Sequence, residues 1–431
     1  MIHFSILLLF IIIINSSLIT SIKIKMKKTN QNRFLQNKYK FGFIFLHDNS
    51  STYDYNFIQS AEKVCNELNV EPVFRPNIPE GEECYKAAKE LVDEGCIGIF
   101  ADSFGHEDYL IKAAKEFPNV QFAQSTGTKA HTEKLSNFHN AFASIYEGRY
   151  ITGIAAGMKL NEMIDNKQIK KEEAKVGYIG AFPYAEVVSG YTAFFLGIRS
   201  VCDFANMTVR YTNSWYDEER EANVAKLLID EDKCKIISQH ANSKGGPRVC
   251  EEKEVPNVFY NMENKEFTKS YLISSKINWD VYFRYFITNT INNSTMDYYW
   301  TGNLADGSVH IFPPSSLSAP NTQDAINEAV NKLKEGNIHV FNTSSFTVSG
   351  SQINTYKADV DTDAKNEGDT EVISDGYFHE SEKRSAPYFD LRIDGITEIE
   401  DDPTKFINES KSNIINISMF FTFLLSLLFL Y

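Results

Sequence analysis

The stretch whose reading decides the fold runs from Lys175 to Leu228. It opens with Val176-Gly177-Tyr178-Ile179-Gly180, a strand, and turns at Phe182-Pro183-Tyr184. Val187, Val188, Tyr191, Phe194, Phe195 and Ile198 then recur at helical spacing. Met207 to Tyr211 reads as a second strand. It leads into Asn213-Ser214-Trp215-Tyr216-Asp217, and a polar helix from Glu218 to Leu228 closes the unit. Strand, helix, strand, helix predicts α/β structure on a parallel sheet. Open sheets of this kind bind ligands at the carboxyl ends of their strands. Trp215 stands just past such an end, where its ring offers a flat face to a flat ligand; the alternative is a ring that caps the core.

The same alternation extends in both directions. Phe41 to Leu46 is a buried-strand pattern, followed by a loop at Asp48 to Asp54 and a helix from Tyr55 to Leu68. Strands are expected at Val70 to Arg75, Cys96 to Ala101 and Val120 to Ala123, with helices at Glu80 to Glu94 and Asp108 to Phe117. Tyr146 to Leu160 is a helix rich in Gly and Ala, suited to close packing. Past the central stretch, strands are expected at Lys235 to Gln239 and Val258 to Tyr260, and helices at Asp280 to Ile291 and Thr322 to Leu333. Thr343 to Gly376 reads as a polar surface insertion and Tyr388 to Ile399 as a last strand pair. The simplest architecture is two successive α/β lobes with a cleft between them.

The ends differ from the middle. Ile6 to Ile14 is apolar and small residues follow it, the pattern of a secretory signal peptide over 1–21. A basic leader spans 22–38 and the two-lobed domain 39–400. One lobe is expected over about 39–143 with part of 272–345, and the other over about 144–271 with the remainder. Residues 401–413 form a polar linker and 414–431 an apolar tail. Small residues, a polar spacer and an apolar run form a GPI attachment pattern, with Asn408, Ser410, Ser412 or Asn413 as attachment residue; a plain membrane helix is the alternative. This places the protein on the secretory route to the outer face of the plasma membrane.

A secreted chain with six cysteines, at 65, 84, 96, 202, 234 and 250, is expected to form disulfides, with Cys234–Cys250 the expected pair. Asn49, Asn206, Asn292, Asn293, Asn342 and Asn408 begin glycosylation sequons. The formal net charge of −14 argues against nucleic acid as a partner.

Catalytic constellations are scarce. No nucleophile elbow, phosphate loop or H-E-x-x-H occurs. His131 and His139 read as surface residues. Gly245-Gly246 reads as a loop. Asp359 to Thr370 begins like a calcium loop but has Ala364 where Gly is needed. No cofactor or metal is called for. What recurs at the expected strand ends is aromatic and amide side chains: Tyr53, Tyr55 and Asn56; Ser103 and Phe104; Trp215; Asn242; Tyr260 and Asn261; Asn278 and Trp279. Rings and amides suit a planar, neutral, hydrogen-bonding ligand such as a purine.

These residues also carry a resemblance. Asp102-Ser103-Phe104-Gly105, Tyr146-Glu147-Gly148-Arg149-Tyr150, Val176-Gly177-Tyr178-Ile179, Asn213-Ser214-Trp215-Tyr216-Asp217, Gln239-His240, Asn278-Trp279 and Tyr299-Trp300-Thr301-Gly302 resemble the basic membrane protein family of purine- and nucleoside-binding lipoproteins. The resemblance spans roughly Tyr39 to Ile399. It implies a type I periplasmic-binding-protein fold, two doubly wound lobes that close by a hinge. It places Tyr55 at a stacking position and Asn56 beside it, and matches Ser103, Phe104 and Trp215 directly. Asn242 and Asn261 fall where the family often carries acidic residues, which removes charge and favours a free base over a nucleoside. The family's bacterial members hand ligand to transporters, so a receptor or transporter partner is implied.

Three readings follow: a membrane-anchored binding protein for a purine-like ligand, a surface interaction protein that kept the fold without the ligand, and a nucleoside-processing enzyme. The third needs a carboxylate cluster, for which Asp102, Glu147 and Glu186 are the candidates, although Glu147 is also placed to pair with Arg149.

Overall fold

A computed structural model describes residues 38–361 and 370–399. The expected signal peptide, almost all of the basic leader, the linker, the tail, Asn408 and the centre of the Asp-rich loop lie outside the described residues.

Nearly continuous runs of apolar residues make the strands, as expected for a parallel sheet covered on both faces. The first sheet takes β1 (Lys40–Ile44), β2 (Glu71–Arg75), β3 (Cys96–Ala101), β4 (Gln121–Ser125) and β5 (Phe138–Ala143). Helices α1 (Thr52–Glu67), α2 (Glu82–Asp93) and α3 (Glu107–Glu116) connect them, with a single turn, α4 (Ala130–Glu133), before β5. The long helix α5 (Ile145–Asp165) carries the chain to the second sheet.

There the pattern repeats as β6 (Lys175–Gly180), α6 (Ala185–Arg199), β7 (Asn206–Tyr211), α7 (Glu218–Asp230), β8 (Ile236–Gln239), α8 (Gly245–Lys253), β9 (Asn257–Tyr260) and β10 (Tyr271–Ile277). The chain then returns through α9 (Trp279–Ile291) to add β11 (Tyr299–Gly302) to the first sheet. It crosses a third time for β12 (Val309–Ile311), α10 (Thr322–Lys334) and the segment beyond. In that segment β13 (Lys357–Ala358) pairs with β14 (Thr370–Glu371), and β15 (Ile373–Ser374) with β16 (Tyr377–Phe378). The last strand, β17 (Ile396–Ile399), joins the second sheet.

Strand order is β11-β5-β4-β3-β1-β2 in one sheet and β12-β10-β9-β8-β6-β7-β17 in the other. All pairings within these two sheets are parallel except β10 with β12. Each sheet therefore reverses its winding direction between its first and third strands, at β1/β3 and at β6/β8. These are the two topological switch points where a doubly wound sheet opens a crevice.

Close packing of α5 on α6 fixes the second lobe. A Cβ on Gly153 would stand 2.1 Å from the Phe194 carbonyl oxygen, and one on Gly197 would stand 1.9 Å from that of Tyr150. Only glycine allows the two backbones to approach this closely. Gly245 does the same for α8 against α7, where a Cβ would meet the Glu218 carbonyl at 2.1 Å. The expected Gly245-Gly246 loop is thus the first turn of a helix.

Other expectations need correction. Two strands beside the crossovers, β5 and β10, carry no clear apolar run: their buried faces include His139, Asn140, Ser274 and Ser275. His139 is buried rather than exposed, held by the Asp297 carbonyl at 2.8 Å and Gln121 Oε1 at 2.9 Å. The six cysteines are all buried free thiols, so Cys234–Cys250 is not a disulfide; both pack as small apolar groups in one cluster. Of the expected final strand pair, only Ile396–Ile399 is a strand.

Candidate functional site

The loops at the two switch points face each other across a narrow cleft. From the first lobe come Leu46, His47, Tyr53, Asp54, Ser103, Phe104 and Thr126; from the second come Glu186, Trp215, His240, Asn242 and Tyr260. Together they line a cleft of about 410 Å³. Half-buried and exposed rings run along its mouth. Phe104, 45% exposed, lies 6.1 Å from Tyr184 across the lobes; Tyr184 stacks on Phe182 at 5.1 Å, and Phe182 meets Trp215 edge-on at 5.3 Å.

The first-lobe wall is built by helix capping. Ser51 caps α1, accepting from the Asp54 amide at 3.3 Å and donating its hydroxyl to Asp54 Oδ2 at 2.5 Å. Asp54 Oδ1 accepts from the His47 amide at 2.7 Å, which fixes the loop after β1. Beneath lies Asp102, whose Oδ1 accepts from the Leu46 amide at 3.1 Å. Burial and the neighbouring Asp54 carboxyl push Asp102 well above the usual carboxylate range. Burial would also raise Asp54, but hydrogen bonds from His47, Ser51 and the Asp102 carboxyl outweigh it and hold Asp54 below its ordinary value. The two carboxyls thus divide one proton, with Asp102 neutral and Asp54 charged. Tyr53 reaches over them, its hydroxyl 3.0 Å from the Asp102 carbonyl and 2.9 Å from Ser125 Oγ. Glu80 anchors the Phe104 loop by accepting from Ser103 Oγ at 2.6 Å and from the Gly105 amide at 2.8 Å.

The second-lobe wall rests on Glu221 of α7. Its carboxyl accepts from the Ser243 amide at 3.1 Å and the Asp217 amide at 3.3 Å, tying the loop after β7 to the loop after β8. Burial pushes Glu221 up to about 7. The Asn242 amide donates to the Trp215 carbonyl at 2.9 Å, so the Trp215 loop is held from both sides. Glu186, in the first turn of α6, lies 3.3 Å from His240 Nε2, and the other ring nitrogen is 3.4 Å from the Tyr178 hydroxyl. Burial lowers the His240 pKa, with Glu186 opposing, so the ring is neutral. Nε2–H then donates to Glu186 and Nδ1 accepts from Tyr178. Behind Tyr260 lies Arg149, fully buried, its guanidinium carbon 3.4 Å from the Tyr260 ring centre and Nη1 donating to the Gln239 carbonyl at 3.0 Å.

Of the residues singled out in the sequence, the structure brings Tyr53, Ser103, Phe104, Trp215, Asn242 and Tyr260 to this cleft. It does not bring Tyr55, Asn56, Asn261 or Trp279 there. The helix expected from Tyr55 starts at Thr52, so Tyr53 and Tyr55 are helical residues about 200° apart. Tyr53 faces the cleft, while the Tyr55 hydroxyl accepts from Gln59 on the outer face at 2.6 Å. Asn56 Nδ2 donates to the Ile277 carbonyl at 2.8 Å, pinning α1 to the end of β10 where the chain crosses between lobes. Asn261, with φ of 67°, is buried and not among the lining residues. Trp279 is 0% exposed and stacks on Phe57 at 4.3 Å in the first-lobe core. Of the three carboxylates proposed for an enzyme, Glu186 lines the cleft and Asp102 lies under it. Glu147 stands elsewhere, accepting from the Leu304 amide at 2.7 Å rather than pairing with Arg149; burial pushes it up to about 7.

Leu46, His47, Asp54, Thr126, Glu186 and His240 complete the lining. Leu46, His47, Thr126 and His240 stand just past strand ends, a position legible only once those ends are known, and Asp54 and Glu186 stand in the first turns of α1 and α6.

Comparison with known proteins agrees with this architecture. The solute-binding protein of an ABC transporter system from Aeropyrum pernix K1 superposes with a TM-score of 0.59 at 14% identity, over 70% of this chain and 93% of that one. One from Conexibacter woesei gives 0.57 at 14% identity, over 70% and 98%. In sequence, a purine-binding protein of Brucella abortus (strain 2308) is 35% identical over 225 residues, 51% of this chain and 59% of that protein. A Haloferax volcanii protein provisionally named an ABC transporter glucose-binding protein is 32% identical over 186 residues, 43% of this chain and 44% of that protein. The matches thus span about half the length of these relatives. Residues 45–342 match the family described as ABC transporter substrate-binding protein PnrA-like, or Bmp. Two doubly wound lobes with a cleft at their facing switch points, together with that match, show that the chain belongs to the Bmp family of PnrA-like ABC transporter substrate-binding proteins.

Proposed function

We propose that this protein captures a small, flat, purine-like ligand between its lobes at the outer face of the cell, without covalent chemistry. The observation that carries the reading is the ring-edged cleft at the two switch points, bordered by Trp215, Tyr184 and Phe104. A cleft edged by rings suits an aromatic ring system, and rings gain from stacking beyond burial alone. Among the described residues no lysine or arginine lines it, which disfavours a phosphorylated ligand.

The signal peptide, the GPI-type tail and the sequons complete the proposal of an anchored surface protein. Asn49, Asn206, Asn292, Asn293 and Asn342 are all exposed, as glycan acceptors must be. No helix among the described residues is long and apolar enough to cross a membrane, so the proposed anchor is the C-terminal tail. A transporter or receptor that reads the closed lobes is the expected partner.

Thermal shift against purine bases, nucleosides and simple sugars tests the reading. A ligand that binds only the native state raises the melting temperature. A rise with purine bases and none with sugars supports it; a rise with sugars alone refutes the purine assignment.

A further inference from the structure

The cleft lining contains two carboxylates, Asp54 and Glu186, and they are not equivalent. Asp54 is used by the protein itself: the His47 amide and the Ser51 hydroxyl donate to its oxygens. Glu186 receives one hydrogen bond among the described residues, from His240 Nε2 at 3.3 Å to Oε1. Its Oε2 has no donor there, and 14% of the side chain stays accessible. The His240 N–H is committed to this bond, and its other nitrogen faces Tyr178. The end of the cleft at Glu186 therefore presents acceptors. Asn242 stands in the same lining with its side-chain amide unbonded to any described residue, able to donate or accept.

A carboxylate shut behind closing lobes needs a donor from the ligand, since leaving it dry and unpaired is costly. We infer that Glu186 selects the ligand, and that the ligand is a 6-oxopurine, guanine or hypoxanthine, whose N1–H meets the Glu186 carboxylate. This rests on the purine reading above. Guanine offers N1–H and the adjacent 2-amino N–H side by side, a pair that fits one carboxylate. Hypoxanthine offers N1–H. Adenine offers a lone pair at N1, facing an acceptor. Asn242 is the group available to donate to the 6-oxo oxygen.

The test is competition binding by guanine, hypoxanthine, adenine and 1-methylguanine to the full-length protein and to Glu186→Gln. Guanine and hypoxanthine are expected to bind on the order of 10- to 100-fold more tightly than adenine and 1-methylguanine, the span of one charge-assisted hydrogen bond. Glu186→Gln, whose amide can also donate, is expected to erase that preference while keeping the native melting temperature. Adenine binding as tightly as hypoxanthine, or 1-methylguanine as tightly as guanine, overturns the inference without recourse to any variant. So does an unchanged preference in Glu186→Gln. If purines bind without this preference, the inference alone falls. If no purine binds, the purine reading falls and takes the inference with it.

Discussion

The backbone amide of Thr52 donates to the carbonyl of Asn242 at 2.9 Å, and this bond spans the cleft from one lobe to the other. His47 faces Tyr216 at 5.3 Å, and Phe104 faces Tyr184 at 6.1 Å, across the same gap. These contacts describe lobes brought together, with the three crossovers as the hinge. Small-angle scattering should therefore give a larger radius of gyration without ligand than with it. Equal radii in both states would show that binding does not work by lobe closure.

Two tryptophans give opposite expectations. Trp279→Ala removes a fully buried ring stacked on Phe57 and should cost about 3–5 kcal/mol of stability. Trp215→Ala removes a half-buried ring at the cleft and should leave the melting temperature within a few degrees while weakening ligand binding about tenfold or more. Chemical denaturation and a binding titration on both variants check this. A Trp215 variant that unfolds early but binds normally would place Trp215 in the core instead.

Tyr53→Ala should weaken binding, and Tyr55→Ala should leave it unchanged, because a two-residue step on α1 separates the cleft face from the outer face. The reverse result, measured by titration, would mean that the helix start is misplaced.

This pair also shows where the sequence stops being informative. The alternation from Phe41 to Leu228 gave the two-lobed fold, because apolar runs and helical spacing are set by local periodicity. It also gave Ser103, Phe104, Trp215 and Asn242, which follow strands with clear ends. The start of α1 depends on the Ser51–Asp54 cap, and a serine among Asn49, Ser50, Ser51 and Thr52 offers no unique choice. A one-turn uncertainty there exchanges Tyr53 for Tyr55. Trp279 was misplaced because β10 carries Ser274 and Ser275 and hides its own end. Glu186 and His240 were visible as residues, but their meeting depends on two loops 54 residues apart in sequence.

Stability should fall as pH rises from about 4.5 to about 8. Burial pushes Glu147 and Glu221 up to about 7 and Glu380 up to about 8. A carboxyl raised in the folded state favours the protonated form there. Its contribution is full below the unfolded value near 4.5 and is lost as pH passes the folded value. Glu380 accepts from the Tyr388 amide at 3.0 Å with Oε1, while Oε2 has no partner among the described residues. Glu380→Gln should therefore flatten the decline between about pH 4.5 and 8, read as melting temperature against pH. A profile that rises over this window would contradict the assignment.

The thiols should be silent in the native protein. Burial pushes Cys65, Cys234 and Cys250 up to about 12 and Cys96 and Cys202 up to about 11. A thiol reagent should label none of them before unfolding and all six after it, without reductant. Fewer than six on unfolding would mean that disulfides form.

The most direct test of the account is a crystal structure of the protein grown with hypoxanthine. The account predicts flat density in the cleft, near the rings of Trp215 and Tyr53, with one ring edge at Glu186 and with Thr52 bonded to Asn242. Density for the base at another place, or an empty cleft at saturating hypoxanthine, would contradict it.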